Sequence, residues 1–185
     1  MENYKLTTLE TDRLLIRTTC QSDWPFVYSM QSDPEQMLHI KEPQSDEQIK
    51  SWFVEFLEPF RGEEMKWSSM IGIDKTSGEP IGCFSVRMIC KNSQNAELGY
   101  MISKHHKRQG YASEGAKAIK QYLFDRLNLR RVTAYCNETN TGSWKVMENI
   151  GLQREGMMRQ EYRINDVWHN TLIYGEVNPN YRHEV

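Results

Sequence analysis

The order of secondary-structure patterns in the second half of the chain restricts the fold most. A strand-like run, Ala96 to Ile102, is followed by a short basic stretch and then by a helix from about Ala112 to Leu127. Apolar residues in that helix recur at the spacing of one buried helix face. A strand from Arg131 to Cys136, a helix from Thr141 to Ile150 and two strands within Leu152 to Val177 come next. This order predicts a mixed α and β fold.

The first half of the chain predicts a strand and two helices. Leu14 to Arg17 has the pattern of a strand, and Ser22-Asp23-Trp24-Pro25 has the cap and early proline of a helix start. Ser45-Asp46-Glu47-Gln48 is a capping-box pattern at the start of a second helix. We expect Ser32 to Pro43 to be the loop between the two helices.

Two hairpins are also predicted. Trp67 to Ile73 and Ile81 to Met88 are strand-like runs separated by a polar turn that contains Gly and Pro. The two strands at the end of the chain are expected to turn near Asn165-Asp166.

Length, charge and cysteine usage narrow the class of protein. The 185 residues suit one compact domain. The 23 Lys and Arg against 25 Asp and Glu give a formal charge of -2, unlike the basic composition of a general nucleic-acid binder. The cysteines form no C-x-x-C pair, which argues against a zinc site and a disulfide framework. We therefore expect no bound metal. The sequence also has no signal-peptide or membrane-span pattern, so we expect a cytoplasmic protein.

The stretch Lys107-Arg108-Gln109-Gly110-Tyr111-Ala112 is predicted to hold a phosphate. It lies where the strand gives way to the helix, and a helix start offers unpaired N–H donors at the positive end of its dipole. Gly110 permits a backbone path that a bulkier residue resists, and Ala112 keeps side-chain bulk away from a phosphate. A glycine in a basic turn is also compatible with an ordinary loop, so the neighbouring segments decide the interpretation.

This stretch resembles the R/Q-x-x-G-x-G/A signature of the GNAT superfamily, whose acetyl-CoA pyrophosphate rests on such a turn. Related sequences often read Gly-Lys-Gly-Tyr-Ala-Thr-Glu-Ala, where this chain has Arg108-Gln109-Gly110-Tyr111-Ala112-Ser113-Glu114-Gly115. Lys107 stands where Arg or Gln is usual, and Arg108 stands where many relatives have Gly. The resemblance implies that the backbone cradle is retained.

Three further segments resemble the same superfamily. Thr11 to Arg17 is similar to the T-x-R-L-x-L-R opening of the subgroup that includes the ribosomal-protein N-terminal acetyltransferases. Glu97 to Ile102 is similar to its E-L-G-Y strand. Asn140 to Leu152 is similar to its N-x-x-S-x-x-V-x-E-K-x-G-F segment, with departures at Trp144, Asn149 and Leu152. The resemblance covers residues 8–176 and is most specific at 97–156.

The resemblance implies an α+β fold in a single N-acetyltransferase domain, residues 1–185 with a core at about 8–176. Its twisted central sheet should have about six to seven mostly antiparallel strands and about four flanking helices. The sheet should be splayed at the coenzyme site, where a bulge separates the strand Glu97 to Ile102 from its neighbour. The pantetheine arm of the coenzyme would then pair with the exposed backbone.

The implied reaction is a direct transfer of acetyl from acetyl-CoA to a primary amine in a ternary complex. It needs a deprotonated amine, a stabilised oxyanion and a proton for the departing thiolate. Glu97 is the candidate base, directly or through water, and Ser143 is the candidate proton donor. A backbone N–H near Tyr100 or Met101 would polarise the thioester carbonyl. The candidate coenzyme-binding residues are Tyr100, Met101, Ile102, Lys107, Arg108, Gln109, Gly110, Tyr111, Ala112, Ser113, Asn140 and Ser143.

Some of these residues also have ordinary structural interpretations. Glu97 fits a structural carboxylate at a strand start, and Ser143 and Asn140 fit residues that satisfy backbone donors at a helix start. Cys136 has no histidine near it in sequence and is better explained as a small buried residue than as a nucleophile.

Other polar and aromatic residues are candidates for the edges of the site. His105 and His106 are expected to flank the coenzyme phosphates, and His39 is a candidate on the substrate side. A second group of residues fits either a cleft wall or the core: Trp24, Trp52, Phe53, Phe56, Tyr162 and Trp168.

The acceptor is less constrained than the coenzyme. The subgroup resemblance favours a protein or peptide amino terminus, such as that of a ribosomal protein. A small-molecule amine acetyltransferase, acting on an antibiotic or a polyamine, is the alternative. A non-catalytic acyl-CoA-binding regulatory domain is the alternative from another class. No direct contact with nucleic acid or membrane is implied, and a monomer and a homodimer are both compatible with the sequence.

Overall fold

The computed structural model describes residues 4, 6 and 8–182. Within this part of the chain there are eight strands and five α-helices. The strands are β1 (Thr8–Glu10), β2 (Leu14–Thr18), β3 (Trp67–Asp74), β4 (Pro80–Cys90), β5 (Asn95–Ile102), β6 (Arg131–Asn137), β7 (Gln153–Ile164) and β8 (Val167–Val177). The helices are α1 (Trp24–Gln31), α2 (Pro34–Met37), α3 (Asp46–Phe56), α4 (Tyr111–Asp125) and α5 (Thr141–Asn149).

All eight strands belong to one sheet in the order β1-β2-β3-β4-β5-β6-β8-β7. Neighbouring strands are antiparallel except β5 and β6, which are parallel. Two parallel neighbours need a crossover connection, and α4 lies in the connection between these two strands. The predicted mixed fold with a mostly antiparallel sheet is confirmed.

One element lies where the sequence predicts only a loop. Within Ser32 to Pro43, the short helix α2 forms because Asp33 accepts hydrogen bonds from the backbone N–H groups of Glu35 (2.9 Å) and Gln36 (3.3 Å). Pro34 occupies the first helical position, where its missing N–H has no cost. Such a short helix has no apolar periodicity from which it could be predicted.

The predicted start of the second helix is confirmed at α3. The Ser45 hydroxyl accepts from the backbone N–H of Gln48 (3.3 Å), and the Gln48 side chain accepts from the backbone N–H of Ser45 (2.9 Å). This reciprocal pair is the capping box. Ile49 and Phe53, one turn apart, are the buried residues of this helix.

Helices cover both faces of the sheet. On one face, Ala116, Ile119 and Leu123 of α4 are fully buried against the main core, which also contains Met147 of α5. On the opposite face, α1 and α3 pack on β3 and β4 through a smaller cluster that includes Phe53. The centre of the sheet is therefore enclosed, and access to its interior depends on where two strands separate.

Candidate active site

Strands β5 and β6 separate after a short paired segment. They pair only at Asn95↔Arg131, Ala96↔Val132 and Glu97↔Thr133. Beyond that point β5 continues its pairing with β4 as far as Ile102, and β6 continues its pairing with β8 as far as Asn137. One edge of the β5 backbone, from residue 98 onwards, is therefore not paired with β6. The predicted splay of the sheet is present at this place.

The separated strands enclose an open cleft of about 780 Å³, here called the β5–β6 cleft. The structure has no register shift between β4 and β5 across Glu97 to Ile102; the shift lies between Met88 and Cys90. The bulge expected within Glu97 to Ile102 is thus absent from this pairing. The divergence of β6 toward β8 opens the sheet instead.

The basic turn stands at the start of α4, and residues 107–110 are exposed. Gly110 is the N-cap residue of α4 with a φ of +85°, and Arg108 has a φ of +61°. Both values lie in the left-handed region that favours glycine. The backbone conformation at residue 108 therefore explains why many relatives have Gly at this position. Among the described residues no side chain caps this helix start. Its leading N–H groups are available to an outside anion.

The turn is braced by the amino-terminal segment of the chain. Thr11 Oγ1 donates to Glu114 Oε1 (2.5 Å), and Arg13 donates through Nε to Glu114 Oε2 (2.7 Å). A second Arg13 nitrogen, Nη1, donates to the Gln109 carbonyl (3.0 Å), and the guanidinium lies 4.3 Å from the centre of the Tyr111 ring. Burial opposes ionisation of Glu114, but these hydrogen bonds outweigh it and lower the pKa of its carboxyl. The T-x-R pattern therefore has a structural role that the sequence alone did not indicate.

Tyr111 holds the same turn from inside. Its hydroxyl donates to Asp74 Oδ2 (2.7 Å) at the end of β3. Hydrogen bonds from the Ser77 backbone and from the Tyr111 hydroxyl lower the pKa of Asp74 to about 2. The His106 ring lies edge-on to Tyr111 at 6.3 Å, and the His105 carbonyl accepts from the Gln109 side chain (3.3 Å). The two histidines thus stand beside the turn, and their place next to the coenzyme phosphates stays a prediction.

The start of α5 contributes Asn140 and Ser143 to the wall of the cleft, whereas the residues of the basic turn do not line it. Asn140 Oδ1 accepts from the Ser143 backbone N–H (3.1 Å) and so caps the helix. The Tyr100 hydroxyl donates to the Ser143 carbonyl (2.7 Å) and lies 3.2 Å from Ser143 Oγ. Burial raises the pKa of Tyr100, so its hydroxyl stays protonated. Tyr100 on β5 therefore meets Asn140 and Ser143 at the start of α5, about 40 residues later in the chain, and all three are predicted site residues.

Cys136 lies in the same group but has no sign of nucleophilic activation. It is buried in the main core, and burial raises the pKa of its thiol to about 11, with a nearby Ser143 acting in the opposite direction. A thiol with a raised pKa is a poor source of thiolate. This arrangement fits the small buried residue favoured by the sequence.

Glu97 lies on the other face of the sheet, because alternate residues of a strand point to opposite sides. Its Oε2 accepts from Arg87 Nε (2.8 Å) and Nη2 (2.6 Å) across the β4–β5 pair. The Arg87 guanidinium also lies 4.7 Å from the Trp67 ring centre. Burial raises the pKa of Glu97, and the ion pair with Arg87 acts against that rise. Sequence reasoning missed Arg87, which only the hairpin register places opposite Glu97.

The remaining predicted residues occupy three kinds of position. Met101 lines the cleft, while Ile102 is almost buried and its carbonyl accepts from the Gln36 side chain (2.6 Å). Ala112 and Ser113 are half-buried in the first turn of α4. His39 lines the cleft, and its Nδ1 lies 3.2 Å from Thr139 Oγ1.

The aromatic candidates divide between the cleft wall and the core, except Trp168, which is 55% exposed and belongs to neither. Trp52, Phe56 and Tyr162 line the cleft. Trp24 and Phe53 pack on each other with ring centres 5.2 Å apart. Two further polar residues of the cleft wall, Asn137 on β6 and Thr171 on β8, were not predicted from the sequence.

No group of three or more His, Cys, Asp or Glu side chains in the described residues is placed to hold a metal ion. None of the helices within residues 4, 6 and 8–182 is long and apolar enough to cross a membrane.

Comparison with known proteins identifies the family. The acetyltransferase (GNAT) domain family matches residues 13–153. The uncharacterized N-acetyltransferase YnaD of Bacillus subtilis is 30% identical over 90% of this chain and 94% of its own. A ribosomal-protein-serine acetyltransferase of Escherichia coli is 28% identical over 54% of this chain and 55% of its own.

Solved structures show the same fold. A GNAT-family acetyltransferase from Bacillus anthracis has a TM-score of 0.82 and 25% identity, covering 93% of this chain and 99% of its own. Spermidine N-acetyltransferase from Vibrio cholerae, in complex with CoA and spermine, has a TM-score of 0.79 and 18% identity, covering 92% and 99%. The chain therefore belongs to the GNAT family and is an acetyl-CoA-dependent N-acetyltransferase.

Proposed function

We propose that this enzyme transfers acetyl from acetyl-CoA to the amino terminus of a peptide or protein, within a single domain that spans residues 1–185. The observation that carries the proposal is the β5–β6 cleft, which has Glu97 on one face of the sheet and the Tyr100–Ser143 pair on the other. An acyl donor and an amine that approach from opposite faces would meet at the unpaired edge of β5. A direct attack in a ternary complex requires this arrangement.

The coenzyme is assigned to the side of α4 and α5. The uncapped start of α4 and the cations Lys107 and Arg108 suit the pyrophosphate, because N–H donors and positive charge converge on the same exposed turn. The free edge of β5 at Tyr100 and Met101 suits the amides of the pantetheine arm and the thioester carbonyl. Asn140 stands beside that path at the start of α5. The free N–H donors, the two cations and the unpaired strand edge together suit the charge and the hydrogen-bonding groups of acetyl-CoA.

The coenzyme assignment is tested by Arg108→Gly. Glycine removes a cation but accepts the left-handed backbone, so the free energy of unfolding should stay the same or rise by up to about 1 kcal/mol. The dissociation constant for acetyl-CoA should rise about fivefold at low salt, and less at high salt, because a surface charge is screened. Calorimetric titration and urea unfolding measure the two quantities.

A matched control removes an arginine at the far end of the same helix. Arg126 is the C-cap residue of α4 and is exposed. Arg126→Gly should leave the affinity for acetyl-CoA unchanged. Equal affinities of the Arg108→Gly variant and the wild type at low salt would contradict the placement of the phosphates.

The chemical step needs three contributions. The neutral amine attacks the thioester carbonyl, the C–S bond breaks, and the proton lost by the amine balances the one gained by the thiolate. Ser143 Oγ is assigned as the donor to the thiolate, and the Tyr100 hydroxyl, which donates to the Ser143 carbonyl, holds residue 143 in place. Solvent water returns the proton to Ser143. Glu97 is assigned as the group that receives the amine proton through water, since its raised pKa makes it a better base than an exposed carboxylate.

The donor role is tested by Ser143→Ala. The kcat should fall about 100-fold, because a positioned general acid contributes at least that much. The affinity for acetyl-CoA should stay close to that of the wild type. The helix start should also persist, because Asn140 caps the backbone N–H of residue 143 and not its hydroxyl. A kcat within twofold of the wild type in stopped-flow thiol release would remove Ser143 from the mechanism.

The proposed function itself is tested by coenzyme-thiol release with a panel of acceptors. The panel contains short peptides with different free amino termini, the same peptides with blocked termini, and spermidine. Release with free peptides, none with blocked ones, and a mass increase at the terminal amine are expected. Faster release with spermidine would favour the small-molecule alternative. Tight acetyl-CoA binding without release for any amine would favour the non-catalytic alternative.

A further inference from the structure

Three buried polar atoms without a hydrogen-bond partner belong to residues of the β5–β6 cleft wall. Eight buried side-chain nitrogen or oxygen atoms in the described residues lack one, and three of these belong to residues that line this cleft: Gln31 Oε1, Asn137 Nδ2 and Thr171 Oγ1. Buried polar atoms in proteins are bonded in the great majority of cases, so such a concentration calls for an explanation. A cleft that binds a polar ligand supplies one.

Asn137 and Thr171 form a defined pair. They are directly opposite each other in the β6–β8 register, and they are only 2% and 5% exposed. Cys136, the neighbour of Asn137, points into the core beside Ser143. Because strand residues alternate, the Asn137–Thr171 pair faces away from Ser143, on the face of the sheet that carries Glu97.

The orientation of the Asn137 amide is determined by its neighbours. Its Oδ1 accepts from both the backbone N–H and the hydroxyl of Thr139, each at 2.9 Å. With the oxygen engaged by Thr139, Nδ2 is the end of the amide that is left for another acceptor. Burial raises the pKa of Tyr162 and the Asn137 amide acts against that rise, but no hydrogen bond of normal geometry engages Nδ2.

We propose that Asn137 Nδ2 and Thr171 Oγ1 form an acceptor subsite that binds a carbonyl oxygen adjacent to the attacking amine. Both atoms can donate a hydrogen bond, and one carbonyl oxygen can accept two. The first peptide carbonyl of an amino-terminal residue has this position relative to its amine. The inference rests on the proposed function and specifies which atoms recognise the acceptor.

The charge of the cleft supports a peptide over a polyamine. The Lys, Arg, Asp and Glu residues that line it are Lys41, Arg87, Glu97 and Glu161, whose formal charges cancel. Glu97 is moreover engaged by Arg87. A protonated polyamine carries several positive charges, and the cleft has no net negative charge to attract them. It also has no hydrogen-bond acceptor, so it cannot bond to the Asn137 donor.

The ionisation of the amine points the same way. An α-amino group has a pKa of about 7.7–8.0, whereas an alkylamine such as a lysine side chain has a pKa of about 10.4. A useful fraction of an α-amine is therefore neutral near pH 7.5 without a strong base. This suits a cleft whose buried carboxylate, Glu97, is ion-paired with Arg87.

The test is Thr171→Val, which removes the hydroxyl and keeps the shape of the side chain. The probes are alaninamide, which has the adjacent carbonyl, and sec-butylamine, which is similar in shape and lacks it. The KM for alaninamide should rise about tenfold, while the KM for sec-butylamine and that for acetyl-CoA should not change. The variant should be as stable as the wild type or more so, because an unpartnered buried hydroxyl has been removed. Thr171→Ser, which retains the hydroxyl, should restore the KM for alaninamide.

Each other outcome overturns the subsite. An unchanged KM for alaninamide excludes the hydrogen bond, and an equal rise for both amines means that only the shape of the wall matters. A rise for acetyl-CoA alone assigns the pair to the coenzyme. Spermidine as the best wild-type substrate excludes the carbonyl-bearing class. Acetyl-CoA binding without turnover of any amine rejects the proposed function itself. An active enzyme whose KM for alaninamide is the same in the wild type and in Thr171→Val rejects only the subsite, so the two failures are distinguishable.

Discussion

Arg87→Met is expected to lower the free energy of unfolding by about 3 kcal/mol at pH 8, because it leaves the buried Glu97 carboxylate without its partner. Glu97 is 8% exposed, and both of its contacts with Arg87 go to one oxygen. This loss is at the lower end of the range for a broken buried ion pair, because a quarter of the Arg87 side chain is exposed. Methionine keeps an unbranched apolar side chain at this position but loses the guanidinium that lies over the Trp67 ring. Urea unfolding measures the loss.

The pH dependence of this loss distinguishes a charge effect from a packing effect. Burial already raises the pKa of Glu97, and removal of Arg87 should raise it further. A carboxyl group whose pKa in the folded state lies above its unfolded value, about 4.3, contributes stability below that value and loses it as the pH rises through the folded pKa. The difference between Arg87→Met and the wild type should therefore be smaller at pH 5 than at pH 8.

The control combines Arg87→Met with Glu97→Gln. Since the charge is then absent, most of the lost stability should return, and the double variant should show little dependence on pH. An equal loss at pH 5 and pH 8, with no recovery in the double variant, would show that Arg87 acts through packing alone.

Gly115→Ala is expected to lower the free energy of unfolding by about 2 to 3 kcal/mol, although alanine ordinarily stabilises a helix relative to glycine. A Cβ atom at residue 115 would lie 2.2 Å from Cζ of Phe84 and 2.5 Å from Cε1. The Phe84 ring is fully buried between α4 and the sheet and has no space to move into. Chemical denaturation of the purified variant gives the value.

Two comparisons isolate the steric cause. Gly142 lies in the first turn of α5, where a Cβ atom would meet only Asn140 Oδ1 at 3.7 Å. Gly142→Ala should therefore stabilise the protein by roughly 0.5 kcal/mol. Phe84→Leu combined with Gly115→Ala should recover much of the loss, because it opens the space that the new methyl group needs. A Gly115→Ala variant as stable as the wild type would mean that α4 can shift away from the sheet at little cost.

The Gly115 contact also explains a departure from related sequences. The related stretch ends in Ala where this chain has Gly115. The large ring of Phe84 fills the space that the alanine methyl group would take. Gly115 and Phe84 are 31 residues apart in the chain. Only the tertiary contact joins the two.

The local signals in the sequence were sufficient for most of the secondary structure. Apolar spacing, the Ser45 capping box and the glycine at residue 110 depend on neighbouring residues, and α3 and α4 begin where these signals place them. The four-residue helix α2 and the three-residue strand β1 were not predicted. Segments so short are stabilised by capping and strand pairing and not by a periodic apolar face.

The sequence by itself determined the family, the type of fold and the turn at the start of α4, because each of these rests on residues close together in the chain. Only the tertiary structure decided that Arg13 braces that turn, that Arg87 pairs with Glu97, and that Tyr100 meets Ser143. It also placed Asn137 opposite Thr171 in the acceptor wall. These contacts depend on strand register and on the packing of helices, which are set by the burial of the whole core and not by any local pattern.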